Sequence, residues 1–312
     1  MNKKPAADSR APKYLDGKTL DKIKRIDVRA RAVVEGFITG NHRSPYNGFA
    51  VEFASHREYT PGDDLRHIDW KVWSRTDRLY IKQYEEETNL NCHLLVDRSK
   101  SMRYGEHLGW SKFDHAATTA ASLAWLMQQQ QDAIGLTLFS NQLDRSMRPS
   151  TNQMHLKQLL HELEQTECDS QTDLSSALVT IANQFRQRGM VMLVSDLLLG
   201  LDDFKRAIEQ FRLRKHDMIV FHVMHGDELD FPFQDNTMFR GLEQDVQLLA
   251  EPRALRRSYL EAMNRHLEGC KKTCAAAGVD YVLMDTTKPL DVALASYLNW
   301  RSRTRRQNGA RK

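Results

Sequence analysis

The sequence predicts an α/β fold built on a doubly wound, mostly parallel sheet with helices on both faces. From residue 92 onward, short apolar runs alternate with longer segments of helical periodicity, which is the pattern of strand–helix–strand units. The runs at 92–97 and 190–196 are strongly apolar, as expected of strands buried on both faces. Each run ends in an aspartate, Asp97 or Asp196, and the carboxyl ends of parallel strands are where such sheets bind ligands.

The elements follow from periodicity and from capping residues. Thr19 or Asp21 can cap a helix at about 20–38, and strand-like pieces follow near 48–54 and 78–85. The alternating region then predicts a strand at 92–97, a helix at 112–131 capped by Ser111, a strand at 133–139, a small hairpin near 143–149, helices at 153–164 and 174–187, a strand at 190–196, a helix at 202–214, a strand at 217–224, an antiparallel insertion at 236–250, a helix at 252–277 stopped by Gly278, a strand at 279–284 and a helix at 289–300.

Composition divides the chain into four parts. Residues 1–18 are predicted to be disordered, and 19–90 hold an N-terminal helix and a strand-containing signature block. Residues 91–300 form the α/β domain, and 301–312 form a basic disordered tail.

The bulk numbers limit the class of protein. The 312 residues include four cysteines without the spacing of a zinc site, which places the chain in a reducing compartment. No run approaches the ~20 apolar residues of a membrane span. We therefore expect a cytoplasmic protein without a membrane-spanning segment.

The positive charge lies at the two ends. The net charge is +4, but residues 1–25 carry eight Lys/Arg against three Asp/Glu, and 301–312 carry six Lys/Arg and no acid. The body is therefore acidic, which argues against specific nucleic-acid binding, since that function needs a basic face on the body. Weak contact of the tail with acidic partners stays an alternative.

Asp97-x-Ser99-x-Ser101 is the most informative motif. It places one carboxylate and two hydroxyls on a turn after a buried strand, and such hard oxygen ligands suit Mg²⁺ or Mn²⁺. Thr172 stands near the start of a predicted helix, and Asp196 ends a second strand. A cation held by these groups would keep an open position for a carboxylate from another protein.

The set Asp97, Ser99, Ser101, Thr172 and Asp196 resembles the metal-ion-dependent adhesion site of von Willebrand factor A domains. The resemblance covers roughly residues 90–287 and implies that the two serines and the threonine contact the ion. It also implies that the aspartates act through water and that a partner's acid completes the site. The sequence leaves open whether the ion is bound at rest or only with the partner. Arg98 and Lys100 would weaken cation binding if their side chains pointed inward.

The upstream block carries a second resemblance, which covers residues 36–102 closely. It is similar to domain-of-unknown-function family 58, whose members pair this block with a von Willebrand A-like domain. The resemblance implies a MoxR-type AAA+ ATPase as partner and a role as adaptor or co-chaperone. Many members carry two membrane helices ahead of the block, and this chain shows none there. The matching residues are Gly40, Ser44-Pro45-Tyr46, Gly48, Glu52-Phe53, Arg57-Glu58-Tyr59, Pro61-Gly62-Asp63-Asp64, Arg66, Ile68-Asp69-Trp70, Ser74-Arg75-Thr76-Asp77-Arg78-Leu79-Tyr80 and Glu86-Glu87-Thr88.

Several functions stay open at this point. The block is a salt-bridged connector, a partner-binding surface, or a catalytic group built on Asp63, Asp64, His67 and Asp69. The sequence has no Walker A motif and no GxGxxG, so any ATP-driven step must come from a partner. We expect a non-enzymatic, metal-ion-dependent protein-interaction module. The alternatives are a metal-dependent hydrolase that uses Asp97 and Asp196, or a metal-free scaffold.

Overall fold

The computed structural model describes residues 25–40, 53–60, 68–76, 78–84, 90–140, 143–168, 174–185, 187–242 and 247–309. The chain divides into two compact units, a large one of residues 1–41 and 90–312 and a small one of residues 42–89.

The described helices and strands follow in chain order. The helices are α1 (Ile26–Gly40), α2 (Trp70–Thr76), α3 (Lys112–Gln129), α4 (Gln153–Gln165), α5 (Leu174–Gln184), α6 (Leu201–Leu213), α7 (Gly226–Asp230), α8 (Pro252–Ala277) and α9 (Asp291–Gly309). Two 3₁₀ turns lie at Lys100–Arg103 and Glu106–Leu108. The strands are β1 (Phe53–Glu58), β2 (Tyr80–Tyr84), β3 (Asn91–Asp97), β4 (Ala133–Phe139), β5 (Leu143–Ser150), β6 (Met190–Ser195), β7 (Asp217–Met224), β8 (Thr237–Arg240), β9 (Gln247–Ala250) and β10 (Asp280–Asp285).

The large unit is built on a six-stranded sheet in the order β10-β7-β6-β3-β4-β5. Every neighbouring pair is parallel except β4 and β5, which pair antiparallel at one edge. This confirms the predicted doubly wound, mostly parallel α/β fold. One detail differs, because the hairpin expected near 143–149 is an edge strand of the main sheet. Its alternating polar sequence suits an edge position that is open on one side.

Two apolar cores lie on opposite faces of the sheet. Successive residues of β3 alternate between them, since Leu94 and Val96 join the core under α1, α3, α4 and α9, whereas Leu95 joins the core under α5, α6 and α8. Burial on both faces explains why the central strands are apolar at almost every position.

The first helix belongs with the sheet. Ile26, Ala30, Val33 and Val34 form one apolar stripe at helical spacing, and all four are buried in the same core as α3. The backbone N–H of Ile26 donates to Oε1 of Glu164 on α4, at 3.3 Å. The helix was predicted to belong with the signature block, in the part 19–90, whereas the structure places it in the large unit.

The helix boundaries depend on local capping. The backbone N–H of Asp114 donates to Ser111 Oγ, and Ser111 N–H donates to the Asp114 carboxylate, so a capping box starts α3 as predicted. Gly278 adopts a left-handed φ of +69° and ends α8 at the predicted residue. Helix α9 continues to Gly309, past the predicted end at 300 and into the segment predicted to be a disordered tail. Arginine is a good helix former, and no glycine or proline interrupts 301–308.

The small unit is described in part. Strands β1 and β2 pair antiparallel with an irregularity between Phe53 and Ser55. The Asp69 carboxylate accepts hydrogen bonds from the backbone N–H groups of Lys71 and Val72, and so caps α2. Within the described parts of the chain, no helix has both the length and the apolar character needed to cross a membrane.

Three buried histidines make the stability of the large unit depend on pH. Burial lowers the pKa of His93 to about 4, and it lowers the pKa values of His115 and His222 to about 3. In the folded state each of these histidines is neutral near pH 6.5. In the unfolded chain each can bind a proton at that pH. Their contribution to stability is therefore complete above pH 6.5 and is lost as the pH falls toward 4.

We predict that His93→Phe weakens the dependence of the free energy of unfolding on pH. His93 stacks on Phe185 with ring centroids 3.9 Å apart, and phenylalanine can keep that contact without binding a proton. Between pH 6.5 and 4, the free energy of unfolding of the wild type should fall by about 3 kcal/mol more than that of the variant. Urea unfolding across this range measures the difference, and parallel curves for the two proteins would contradict it.

Candidate interaction site at the carboxyl edge of the sheet

The candidate site lies where the chain reverses its direction across the sheet. From β3 the chain moves outward to β4 and β5, then returns to β6 on the other side of β3. Neighbouring strands β3 and β6 therefore send their following loops in opposite directions, which opens a crevice at their carboxyl ends. Asp97 ends β3, and Ser195 ends β6.

The Asp97 carboxylate is fully buried and holds this crevice together. Its Oδ1 accepts from the Ser99 backbone N–H at 2.8 Å, and its Oδ2 accepts from Ser195 Oγ at 2.6 Å. Burial raises the pKa of Asp97 to about 7, and the nearby negative charge of Asp196 adds to the shift. The charged form of Asp97 is therefore disfavoured by its surroundings.

The two serine hydroxyls of the loop are also buried. Ser99 Oγ and Ser101 Oγ lie 2.9 Å apart and share a hydrogen bond. A hydrogen bond from Ser101 also helps to lower the pKa of Asp196. The loop hydroxyls thus link the end of β3 to the end of β6.

A lysine ammonium lies at the centre of the site. Lys112 is the first residue of α3, and its side chain is 1% exposed. Its Nζ lies 2.8 Å from Asp196 Oδ2 and 2.9 Å from Glu228 Oε1. Burial alone would lower the pKa of Lys112, but the charges of Asp196 and Glu228 outweigh it and raise that pKa above its ordinary value. In turn, the Lys112 charge keeps the pKa of Asp196 below its ordinary value although burial would raise it.

The backbone that presents Asp196 is held by a buried histidine and a strained turn. His222 Nε2 lies 2.8 Å from the Asp196 carbonyl oxygen, and Nδ1 lies 2.8 Å from the Tyr281 hydroxyl. A carbonyl only accepts, so Nε2 carries the proton and Nδ1 accepts from the tyrosine. Leu197 has a φ of +50°, and its burial in the core keeps this unfavourable conformation in place.

Glu228 closes the site from the loop after β7. Its Oε2 accepts from the His225 backbone N–H at 2.9 Å within a capping box that starts α7. Its other oxygen reaches Lys112, and its side chain is 16% exposed. Glu228 is therefore the charged group of the network nearest to solvent.

The structure brings four of the five predicted site residues together. Asp97, Ser99, Ser101 and Asp196 form one connected polar network, as described above. Thr172 lies outside the described residues. Arg98 does not point into the network, since its guanidinium lies 3.5 Å from Asp144 and donates to the Glu167 carbonyl.

The predicted metal site consists mainly of serine and threonine hydroxyls, and in the structure its Asp196 carboxylate pairs with a lysine ammonium through Oδ2. Within the residues that the structure describes, no group of three or more His, Cys, Asp or Glu side chains is arranged to hold a metal. The positive charge that the structure shows at this site is therefore the Lys112 ammonium.

Sequence reasoning missed Lys112 and Glu228. The missed indication is the position of the lysine, because the first turn of a helix favours acidic residues and disfavours a positive charge. A lysine directly after the Ser111 cap, at the start of a largely buried helix, needs carboxylates from elsewhere in the fold. Those carboxylates are far away in sequence, so no local pattern identifies them.

A groove with basic walls opens beside the site. It runs between the 3₁₀ turns after β3 and the β8–β9 hairpin, and its walls include Lys100, Arg103, His107 and Arg240. Glu106 is the acidic residue of this lining, and it accepts from Arg103 Nε at 2.9 Å. The local charge is therefore positive although the body of the chain is acidic.

The residues of the signature block do not form a described catalytic group. Asp63, Asp64 and His67 lie outside the described residues, and Asp69 is the cap of α2. Trp70 and Trp73 meet edge to face with centroids 5.9 Å apart, and they are 59% and 42% exposed. Arg78 and Glu58 form one ion pair at 3.4 Å, as a salt-bridged block would contain.

Comparison with known proteins gives a family match over much of the chain. The model of the family described as "Protein of unknown function DUF58" matches residues 55–269. The uncharacterized protein Rv1480 of Mycobacterium tuberculosis is 23% identical over 278 residues, which cover 88% of this chain and 86% of that protein.

Solved structures are also similar. An aerotolerance-related membrane protein from Bacteroides fragilis matches with a TM-score of 0.48 and 15% identity, covering 67% of this chain and 98% of that one. The VWA domain of SpRpn10 matches with a TM-score of 0.37 and 11% identity, covering 66% of this chain and 94% of that one.

We predict that Lys112→Met destabilises the large unit by about 3–5 kcal/mol, because it leaves a buried carboxylate without its counter-charge. Lys288→Met is the matched control, since Lys288 pairs with Asp285 at 3.1 Å but its side chain is 72% exposed. The control should cost well under 1 kcal/mol. Urea unfolding at neutral pH compares them, and equal losses for both variants would refute the assigned role of Lys112.

Proposed function

We propose that this chain, which belongs to the DUF58 family, is a non-enzymatic protein-interaction module that binds an acidic segment of a partner protein. The observation that carries the proposal is the basic groove, which lies directly beside the polar network at the carboxyl edge of the sheet. Lys100 belongs to the Asp97–Ser101 loop and Arg240 to the β8–β9 hairpin, so the two walls of the groove present positive charge to one ligand.

The proposed partner is a MoxR-type AAA+ ATPase, or a client protein that such an ATPase remodels. The family resemblance implies this partner, and the chain itself carries no Walker A motif. In this proposal the module recruits or positions a protein, and the ATPase supplies the energy from ATP. Its role is that of an adaptor or co-chaperone in protein maturation or complex assembly.

The chemistry of the site supports binding over catalysis. Its polar groups are bonded to one another, and among the described residues of the network no serine hydroxyl is hydrogen-bonded to a histidine. A cysteine–histidine contact occurs elsewhere, with Cys270 Sγ 3.6 Å from His266 Nε2. Burial raises the pKa of that thiol to about 11, so it is not an activated nucleophile.

The metal-dependent form of this proposal makes a further demand. It places Mg²⁺ or Mn²⁺ on Ser99, Ser101 and Thr172, and an ion that bound Asp196 Oδ2 directly would displace the Lys112 ammonium from it. Binding of an acidic segment in the basic groove does not need that rearrangement. The capture of a partner and the role of metal are therefore separate questions.

We predict that the double variant Lys100→Glu with Arg240→Glu weakens capture of a purified MoxR-type ATPase by at least about tenfold, because it reverses the charge on both walls. Capture by the wild type should also weaken as salt rises, since exposed charges are screened. Immobilised chain and a titration of the ATPase provide the measurement.

A matched pair of substitutions serves as the control. Lys157 on α4 and Lys272 on α8 are exposed and do not line the groove. Lys157→Glu with Lys272→Glu changes the net charge equally and should leave capture near the wild-type level. Equal weakening by both pairs would assign the effect to overall charge, and unchanged capture by the groove pair would refute the proposed docking surface.

A further inference from the structure

We propose that the Lys112 ammonium is the resident cation of the site at the carboxyl edge of the sheet, and that the site works without a divalent metal. The proposal deepens the proposed function, because it states how that site is held in its binding conformation. It can also be tested on the isolated chain.

The first argument is the position of the ammonium. Nζ of Lys112 is buried at the switch point, within 2.8 Å of Asp196 and 2.9 Å of Glu228. These carboxylates come from two different loops, after β6 and after β7. One cation therefore joins three segments that are distant in sequence, which is the structural role that a metal ion has in many loop-built sites.

The second argument is that the lysine is fixed by more than its charge. Its backbone N–H donates to the Tyr104 carbonyl at 2.9 Å, and the Ser111 capping box holds the start of α3. The lysine ammonium is part of the chain, so this positive charge does not have to bind from solution as a metal ion would. The lysine also occupies a helix position that disfavours cations, and its two carboxylate contacts account for that placement.

The third argument is that the polar groups of the site already bind one another without a metal. Both Asp97 oxygens accept hydrogen bonds, the two loop hydroxyls bond to each other, and Asp196 Oδ2 binds Lys112. A metal bound directly to Asp196 Oδ2 would displace the ammonium. The lysine thus takes the place of the cation, and Glu228 is a carboxylate ligand that the chain itself supplies.

The experiment measures Mn²⁺ binding by electron paramagnetic resonance, together with thermal unfolding, on the full chain. Wild type should leave the signal of free Mn²⁺ unchanged, and its unfolding midpoint should be the same with EDTA, Mg²⁺ or Mn²⁺. Lys112→Ala should lower the midpoint by on the order of 10 °C. Millimolar Mn²⁺ should recover part of that loss, because the ion can then use Asp196 and Glu228.

Two further variants make the result decisive. Adding Asp196→Asn to Lys112→Ala should abolish the recovery by Mn²⁺, and a folded Lys112→Ala that Mn²⁺ does not stabilise would overturn the proposal. So would micromolar binding of Mn²⁺ by wild type that Ser99→Ala with Ser101→Ala removes. If Lys112→Ala does not fold, the wild-type titration still decides the question.

The same titration is independent of the partner. A wild type that binds no Mn²⁺ and does not capture the ATPase would refute the proposed function and leave the role of Lys112 intact. Capture that EDTA abolishes, together with Mn²⁺ binding by the wild type, would overturn the lysine proposal and support the metal-dependent module.

Discussion

The buried ion pairs of Lys112 are the interaction on which the carboxyl edge of the sheet depends. Two carboxylates, Asp196 and Glu228, are brought close together there, and the buried Asp196 needs a positive charge within contact distance to remain ionised. The Lys112 ammonium supplies that charge from the first turn of α3 and also binds Glu228. The loops after β6 and β7 and the start of α3 therefore meet at one atom, Nζ.

The sheet provides the second constraint. Its central strands are buried on both faces, so most of their side chains belong to the two cores, and the charged groups lie at the strand ends. The order β6-β3-β4 places two such ends side by side where the connections diverge. Asp97 and Ser195 meet across this boundary at 2.6 Å. The fold thus brings the charged residues of these strands together at one edge of the sheet.

The sequence predicted the fold for identifiable reasons. Hydrophobic periodicity and helix-capping residues are local features of the sequence, so they predicted β3, β6 and the span of α8. Four of the five candidate ligands proved to be neighbours. Two long-range features also differed from prediction, in addition to the edge position of β5 and the end of α9. The packing position of α1 depended on which core its apolar stripe, with Ile26 and Val33, would join. The carboxylates that pair with Lys112 lie on other loops. Both are long-range choices that a local pattern does not encode.

The division of the chain has a topological consequence. Residues 42–89 form their own compact unit, yet the chain enters it from α1 and leaves it into β3, and both of these elements belong to the large unit. The signature block is thus an insertion, tethered at both ends to one folded body. A two-ended tether shortens the reach of the block compared with a terminal appendage.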